Sequence, residues 1–465
     1  MKFLIGLFLC SIFVSCSSQK SDEQNETFIL LSKNGYQSIS VVDIQTGKVI
    51  VADNQNQRLT PASLTKLFTS SSALEILGAE FCFNTHLYFS KQDQVLYVQG
   101  AGDPTLGSAR FEETVPGNLF RKLSNELIRN GIKSIDGDII IDCSRYNGLV
   151  YPSKRIWEDM ANYYGAVPSA LSYKENTFAM TLRSSNVGEK CQIVNLEPNP
   201  GVEFQCNVFG ANNKKDSAYI YGHPNMGEWY VSGTIPANRK AFKIKGVLPN
   251  PAFTFGQDLK TYLNDNGIDV MGRVRVVNNK VLSGNEDIIY THNSPGLNKI
   301  IGVVNQNSNN LYADHLLFEL GQSSKLANWD EGTHLLNSYW QARLPGFKAQ
   351  FYDGSGLSPF NKFSANDMVS LLIYMDKSNA SVDFRKSLSV SGEKGTLKRF
   401  LKEEKAGSVI GKSGSMTGVL GYSGYLQTDS GRELAFCVLV NNFTEPFSEI
   451  RANIESLLSE LIHEN

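Results

Sequence analysis

The stretch Thr60-Pro61-Ala62-Ser63-Leu64-Thr65-Lys66-Leu67-Phe68 constrains this chain most. It reads as the first turns of a helix. Thr60 is placed to cap it, and Pro61 fits the first helical position, where a missing N–H costs nothing. Leu64, Leu67, Phe68 and Leu74 recur at helical spacing, which predicts one buried face. Gly78 marks the stop. Ser63 and Lys66 then stand one turn apart on the same face. A serine beside an amine at the dipole-positive end of a buried helix is an arrangement that activates a nucleophile. Ser-x-x-Lys alone is a weak signal, because it recurs at Ser17/Lys20 and Ser391/Lys394. Its meaning depends on partners supplied elsewhere in the chain.

With 465 residues the chain has room for more than one domain and a large core. Its formal net charge of −2, with no long basic run, argues against nucleic acid as a partner. Six histidines are present and none stands in a metal-ligand pattern, so neither a metal nor another cofactor is expected. The same scarcity weakens a Ser-His-Asp reading. Of seven cysteines, Cys82, Cys143, Cys191, Cys206 and Cys437 lie beyond residue 16. Scattered and odd in number, they do not form a disulfide framework; a Cys191/Cys206 loop is the one pairing to weigh against small buried thiols.

The N-terminus reads as a targeting segment. Met1-Lys2 begins with positive charge, and residues 3–14 form an apolar run too short to span a bilayer as a stable helix. The run ends in Phe13-Val14-Ser15-Cys16, which resembles the lipobox of bacterial lipoproteins. That resemblance implies lipidation of Cys16, a signal over residues 1–16 and a lipid anchor in a membrane. Phe13 stands where the motif usually has Leu, and an ordinary secretory signal is the alternative. Residues 17–26 are polar and read as a flexible tether.

Strands are expected at 26–32, 38–42 and 49–52, leading into the Ser63 helix. From 81 to 284 the texture is of short strands between glycine turns, with amphipathic helices at 120–130 and 257–266. This predicts a β-rich insert, split into two units. From about 288 helices return, opening at Ser294-Pro295 and continuing at 309–320 and 331–344. Ser364 caps a further helix through Met375. Strands follow at 408–412, 421–428 and 433–441, then a closing helix at 449–461. Residues 27–80 and 285–465 together predict one discontinuous α/β (α+β) domain, an antiparallel sheet flanked by helices.

Two later stretches supply what Ser63 lacks. Ser308 and Asn310 stand at Ser-x-Asn spacing in a polar run before a helix; a hydroxyl relays a proton, and an amide holds both ends of a peptide bond. Gly411-Lys412-Ser413-Gly414-Ser415 closes a strand. A lysine and two hydroxyls at a strand edge make a carboxylate receptor, and Gly414 lets a substrate backbone approach. Read alone, the first is also a helix cap and the second an edge-guarding lysine.

The order Ser-x-x-Lys, Ser-x-Asn, Lys-Ser/Thr-Gly is the signature set of penicillin-binding proteins and serine β-lactamases. The long interval from Ser63 to Ser308 resembles the class C low-molecular-mass penicillin-binding proteins, the D-alanyl-D-alanine carboxypeptidase/endopeptidase family. Further matches are Gly100-Ala101-Gly102-Asp103-Pro104-Thr105-Leu106, Trp157-Glu158-Asp159, Tyr164-Gly165-Ala166, Asn309-Asn310-Leu311-Tyr312-Ala313-Asp314 and Asp353-Gly354-Ser355-Gly356-Leu357-Ser358.

The resemblance implies that Ser63 attacks the carbonyl between two D-alanines of a peptidoglycan stem peptide. Lys66 takes its proton, which needs an amine kept neutral by burial and Lys412. Ser308 protonates the departing D-alanine, and N–H groups of Ser63 and Ser415 form the oxyanion hole. Lys412, Ser413 and Ser415 hold the terminal carboxylate, and Asn310 orients the substrate amide. β-Lactam antibiotics acylate the same serine. The sequence leaves open which lysine is the base. Asp159 and Tyr164 match residues that grip the stem-peptide side chain in relatives; Pro359 and Thr417 depart from the remaining two. The rivals are a β-lactamase or esterase of the same fold and a non-catalytic peptidoglycan-binding lipoprotein.

Overall fold

The computed structural model describes residues 30–146, 151–282, 287–322, 328–402 and 406–463. Cys16, the apolar leader and the tether lie outside them, as does most of the expected strand 26–32; its described end, residues 30–32, is irregular.

Residues 36–53 and 389–441 build a six-stranded antiparallel sheet in the order Ser389–Val390, Val409–Met416, Val419–Gln427, Glu433–Asn441, Tyr36–Asp43, Val49–Asp53. Val419–Gln427 and Glu433–Asn441 are buried along almost their whole length, so both faces of the sheet centre are covered. Helices Ala365–Lys377 and Phe447–His463 pack on the sheet. Ser364 and Asp367 form a reciprocal cap at the start of the first of these helices.

The Ser63 helix runs Thr65–Leu77 and ends at Gly78, whose φ of 83° a side chain would disfavour. It departs from the expectation of a single buried face, since every residue from Thr65 to Leu74 is buried. Helices Leu297–Gln306, Asn310–Gly321 and Trp329–Gln341 surround it. Thr69 Oγ1 donates to the Gly354 carbonyl at 2.7 Å and Ser72 Oγ to the Phe68 carbonyl at 2.9 Å, while the buried hydroxyls of Thr65 and Ser71 meet no partner among the described residues. Phe68 sits among Trp340, Phe347, Phe351 and Phe363, with ring centroids 5.2–6.0 Å away. Burial of a side chain of that size contributes about 1.5–3 kcal/mol, before the specific ring contacts.

Residues 84–293 add further sheets around two packing centres, the first continuous with the core of the Ser63 helix and the second separate from it. A five-stranded sheet in the order Val274–Val277, Ile139–Asp142, Val95–Gln99, Asn84–Ser90, Asp287–Asn293 carries helices Pro116–Arg129 and Pro251–Asp265. Asp287–Asn293 is therefore a strand paired with Asn84–Ser90, and helix resumes only at Leu297. Two three-stranded sheets enclose a separate core around Phe178, Met180, Trp229 and Ile244. Both insert helices start earlier than their apolar periodicity suggests, because Pro116 and Pro251 occupy the first turn and Asn250 Oδ1 accepts from the Phe253 N–H.

Candidate active site

Ser63 lies in a single 3₁₀ turn, Ala62–Leu64, immediately before the Thr65–Leu77 helix. Thr60 does not cap this helix. Its hydroxyl donates to the Pro359 carbonyl at 3.2 Å, so the turn is tied to the 353–359 run instead. Ala62 has φ of +47°, a left-handed conformation that costs an L-residue energy and marks a held turn. The same run approaches so closely that a Cβ on Gly356 would lie 1.9 Å from the Ala62 carbonyl oxygen. Only glycine permits this contact.

Lys66 is fully buried, and its Nζ has three partners: Ser63 Oγ at 3.0 Å, Asn310 Oδ1 at 2.6 Å and the Ser355 carbonyl at 2.5 Å. Asn310 Oδ1 and the Ser355 carbonyl only accept. The ammonium form donates to all three; the neutral amine has two N–H donors for Asn310 and Ser355 and keeps its lone pair for the Ser63 hydroxyl proton. Burial pushes the Lys66 amine down to about 7; Arg155 adds to this, while the Asp314 and Asp353 carboxylates oppose it. The expected contribution of Lys412 falls instead on Lys412 itself. Its amine is held well below the usual lysine range by burial and by Lys66.

Lys412, also fully buried, donates to Ser308 Oγ at 2.9 Å and to the Ser413 carbonyl at 2.6 Å. Ser308 has φ of +55°, a bend that ends one helix at Gln306 and lets Asn309 cap the next by accepting from the Tyr312 N–H at 3.0 Å. Asn310 then begins that helix. Its Nδ2 donates to the Tyr164 carbonyl at 2.8 Å, so in this structure both ends of the amide are held by protein groups.

The strand Val409–Met416 runs on past Lys412, pairing Ser413, Gly414 and Ser415 with Tyr422, Gly421 and Leu420. Gly414 faces the Ser63 turn: a Cβ there would lie 2.5 Å from the Pro61 carbonyl oxygen and 3.1 Å from the Ser63 and Leu64 nitrogens. Ser413 is half-buried and Ser415 exposed. Asp159 and Tyr164 are both half-buried; burial raises both groups, and the neighbouring Tyr164 hydroxyl offsets this at Asp159 while the Asp159 carboxylate adds to it at Tyr164. They reach the site through the Tyr164 carbonyl on Asn310.

Behind Lys66 lies a buried ion cluster that motif reasoning missed. Arg155 bonds Asp314 and, at 3.3 Å, Asp353, with side chains 1%, 0% and 0% exposed. Asp314 and Asp353 belong to the matched runs, but Arg155 sits in a Pro-Ser-Lys loop with no periodic or motif signal.

Among known proteins, the sequence matches the D-Ala-D-Ala carboxypeptidase 3 (S13) family over residues 32–461. The chain belongs to this family. It is thus a serine peptidase of the penicillin-binding type. It is 28% identical over 434 residues to a D-alanyl-D-alanine carboxypeptidase of an Actinomadura species, covering 88% of this chain and 78% of the relative. It is 25% identical over 460 residues to the D-alanyl-D-alanine carboxypeptidase DacB of Haemophilus influenzae, covering 95% and 92%. The crystal structure of penicillin binding protein 4 from H. influenzae superposes with a TM-score of 0.79 at 24% identity, over 93% of this chain and 97% of that one. A predatory peptidoglycan endopeptidase of Bdellovibrio bacteriovorus shares the fold at a TM-score of 0.54 and 18% identity, over 92% of both chains. The fold is that of the penicillin-binding proteins.

Proposed function

We propose that the protein removes the terminal D-alanine from peptidoglycan stem peptides ending in D-Ala-D-Ala, and cleaves the equivalent cross-link, through an acyl-enzyme on Ser63. The observation that carries this is the 3.0 Å contact of Ser63 Oγ with an amine whose other two partners can only accept. Lys66 takes the hydroxyl proton as Ser63 attacks the carbonyl carbon. The backbone N–H groups of Ser63 and Ser415 receive the oxyanion; losing one such donor typically costs about 10²–10³ in rate. Ser308, bonded to Lys412, delivers a proton to the departing amine. The terminal carboxylate meets Lys412, Ser413 and Ser415, and its charge favours the protonated form of Lys412. Asn310 positions Lys66 and the Tyr164 loop, and reaches the substrate amide by giving up one of these bonds. Asp159 and Tyr164 face the stem-peptide side chain. Water then releases the acyl group.

The protein acts outside the cytoplasm, held to the membrane by a lipid on Cys16. Intact mass of the mature chain tests this: an acylated Cys16 is expected, and an unmodified terminus refutes it. The catalytic reading is tested by D-alanine release from a synthetic peptide ending in D-Ala-D-Ala. Release that is lost in Ser63→Ala supports it. Rapid turnover of nitrocefin without D-alanine release would instead establish a β-lactamase.

A further inference from the structure

Arg155 belongs to the inserted region, yet its side chain ends beneath the nucleophile helix. Its guanidinium bonds Asp314 and Asp353, and also donates to Ser355 Oγ at 3.0 Å. Each partner is itself built into the frame of the site. Asp314 Oδ1 accepts from the Gly354 N–H at 3.1 Å. Asp353 accepts from Gly356 N–H, Ser358 N–H and Asn361 Nδ2, all at 2.8 Å. The loop so held presents the Ser355 carbonyl to Lys66 at 2.5 Å and Gly356 to Ala62.

The charged groups around Lys66 are few. Asp314 comes from the Asn310–Gly321 helix, Asp353 from the loop, Arg155 from the insert and Lys412 from the strand edge. Two carboxylates would by themselves stabilise a Lys66 cation and remove the lone pair that Ser63 needs. Arg155 is the fixed positive charge set against them, and arginine stays protonated at any working pH.

We propose that Arg155 is a positioning residue for the reaction, supplied by the insert: it offsets the Asp314/Asp353 pair and fixes the Ser355 carbonyl, so that the Lys66 amine stays neutral and aimed at Ser63. The insert is then part of the catalytic apparatus as well as a substrate-facing module. This rests on Lys66 being the base of the proposed reaction.

The test is the acylation rate of the full chain by a fluorescent penicillin, followed against pH in wild type, Arg155→Gln, Arg155→Lys, Asp314→Asn and Arg155→Gln/Asp314→Asn. In Arg155→Gln the acid limb moves up by about one pH unit or more, so the rate near neutrality falls by about fivefold or more and recovers at alkaline pH. Arg155→Lys keeps the charge and holds the wild-type midpoint with a lower plateau. Asp314→Asn moves the limb down, and the double variant returns it towards wild type. If Arg155→Gln does not fold, the opposed shifts of Asp314→Asn and the double variant carry the test. A loss of equal factor at every pH, or midpoints that do not move, overturns the proposal. Failure of the underlying reading looks different: the wild-type rate would lack an acid limb, or labelling would survive Ser63→Ala.

Discussion

Gly414→Ala probes the fit between the strand edge and the nucleophile turn. The added Cβ would sit 2.5 Å from the Pro61 carbonyl oxygen, with the Ser63 and Leu64 nitrogens at 3.1 Å. These are backbone atoms at the mouth of a buried helix, so no side chain can swing aside. The strand must retreat by about 0.5–0.9 Å to restore a tolerable contact. That retreat separates the two proposed oxyanion donors, the N–H groups of Ser63 and Ser415, by a similar amount. A misplacement of about 1 Å costs on the order of 10² in rate, and complete loss of one oxyanion donor about 10²–10³. Stopped-flow acylation by a fluorescent penicillin should therefore slow by about a hundredfold. Gly117→Ala is the control, because an added Cβ there meets no atom within 4 Å. A Gly414→Ala enzyme acylating within about threefold of wild type would refute the reasoning, since that is under ~1 kcal/mol of barrier.

Acylation should fall as pH drops through about 7, because Lys66 must be neutral and burial holds its amine near that value; a rate independent of pH across neutrality would contradict this. The same depression makes the unfolded chain bind more protons than the folded one between about pH 7 and the ordinary lysine value, so this group's contribution to stability rises with pH in that window, which denaturant titrations at fixed pH would show. Ser364→Ala removes the side-chain cap of the Ala365–Lys377 helix and should cost about 0.5–2 kcal/mol in chemical denaturation, with little change in acylation of the folded fraction. Gly302→Ala lies inside Leu297–Gln306 with open space around the new methyl group, and should raise stability by about 0.4–1 kcal/mol.

The elements proposed to carry the chemistry were the most legible in the sequence, because each announces itself locally. Ser63 and Lys66 share one helical turn, Ser308 and Asn310 occupy a polar run where one helix stops and another starts, and Lys412 follows the apolar strand start Val409-Ile410 and leads into Ser413-Gly414. Tertiary pairing determined what was less legible. Ser413-Gly414-Ser415 are poor strand formers, yet they extend the strand because Tyr422, Gly421 and Leu420 stand opposite. Thr60 had the chemistry of a cap, but its hydroxyl is drawn to Pro359 on a distant loop. Residues 287–293 lie where the sequence reads as the return of helix, and they become a strand by pairing with 84–90. Arg155 had no local signal at all. A single arginine in a loop becomes part of a site only when folding brings Asp314 and Asp353 to it from far along the chain.

Acylation at Ser63 underlies every step proposed above. Incubation of the full chain with penicillin, followed by proteolysis and mass mapping, tests it directly. A penicilloyl adduct is expected only on the peptide bearing Ser63, and none in Ser63→Ala. An adduct on another residue, or one that persists in Ser63→Ala, would contradict it.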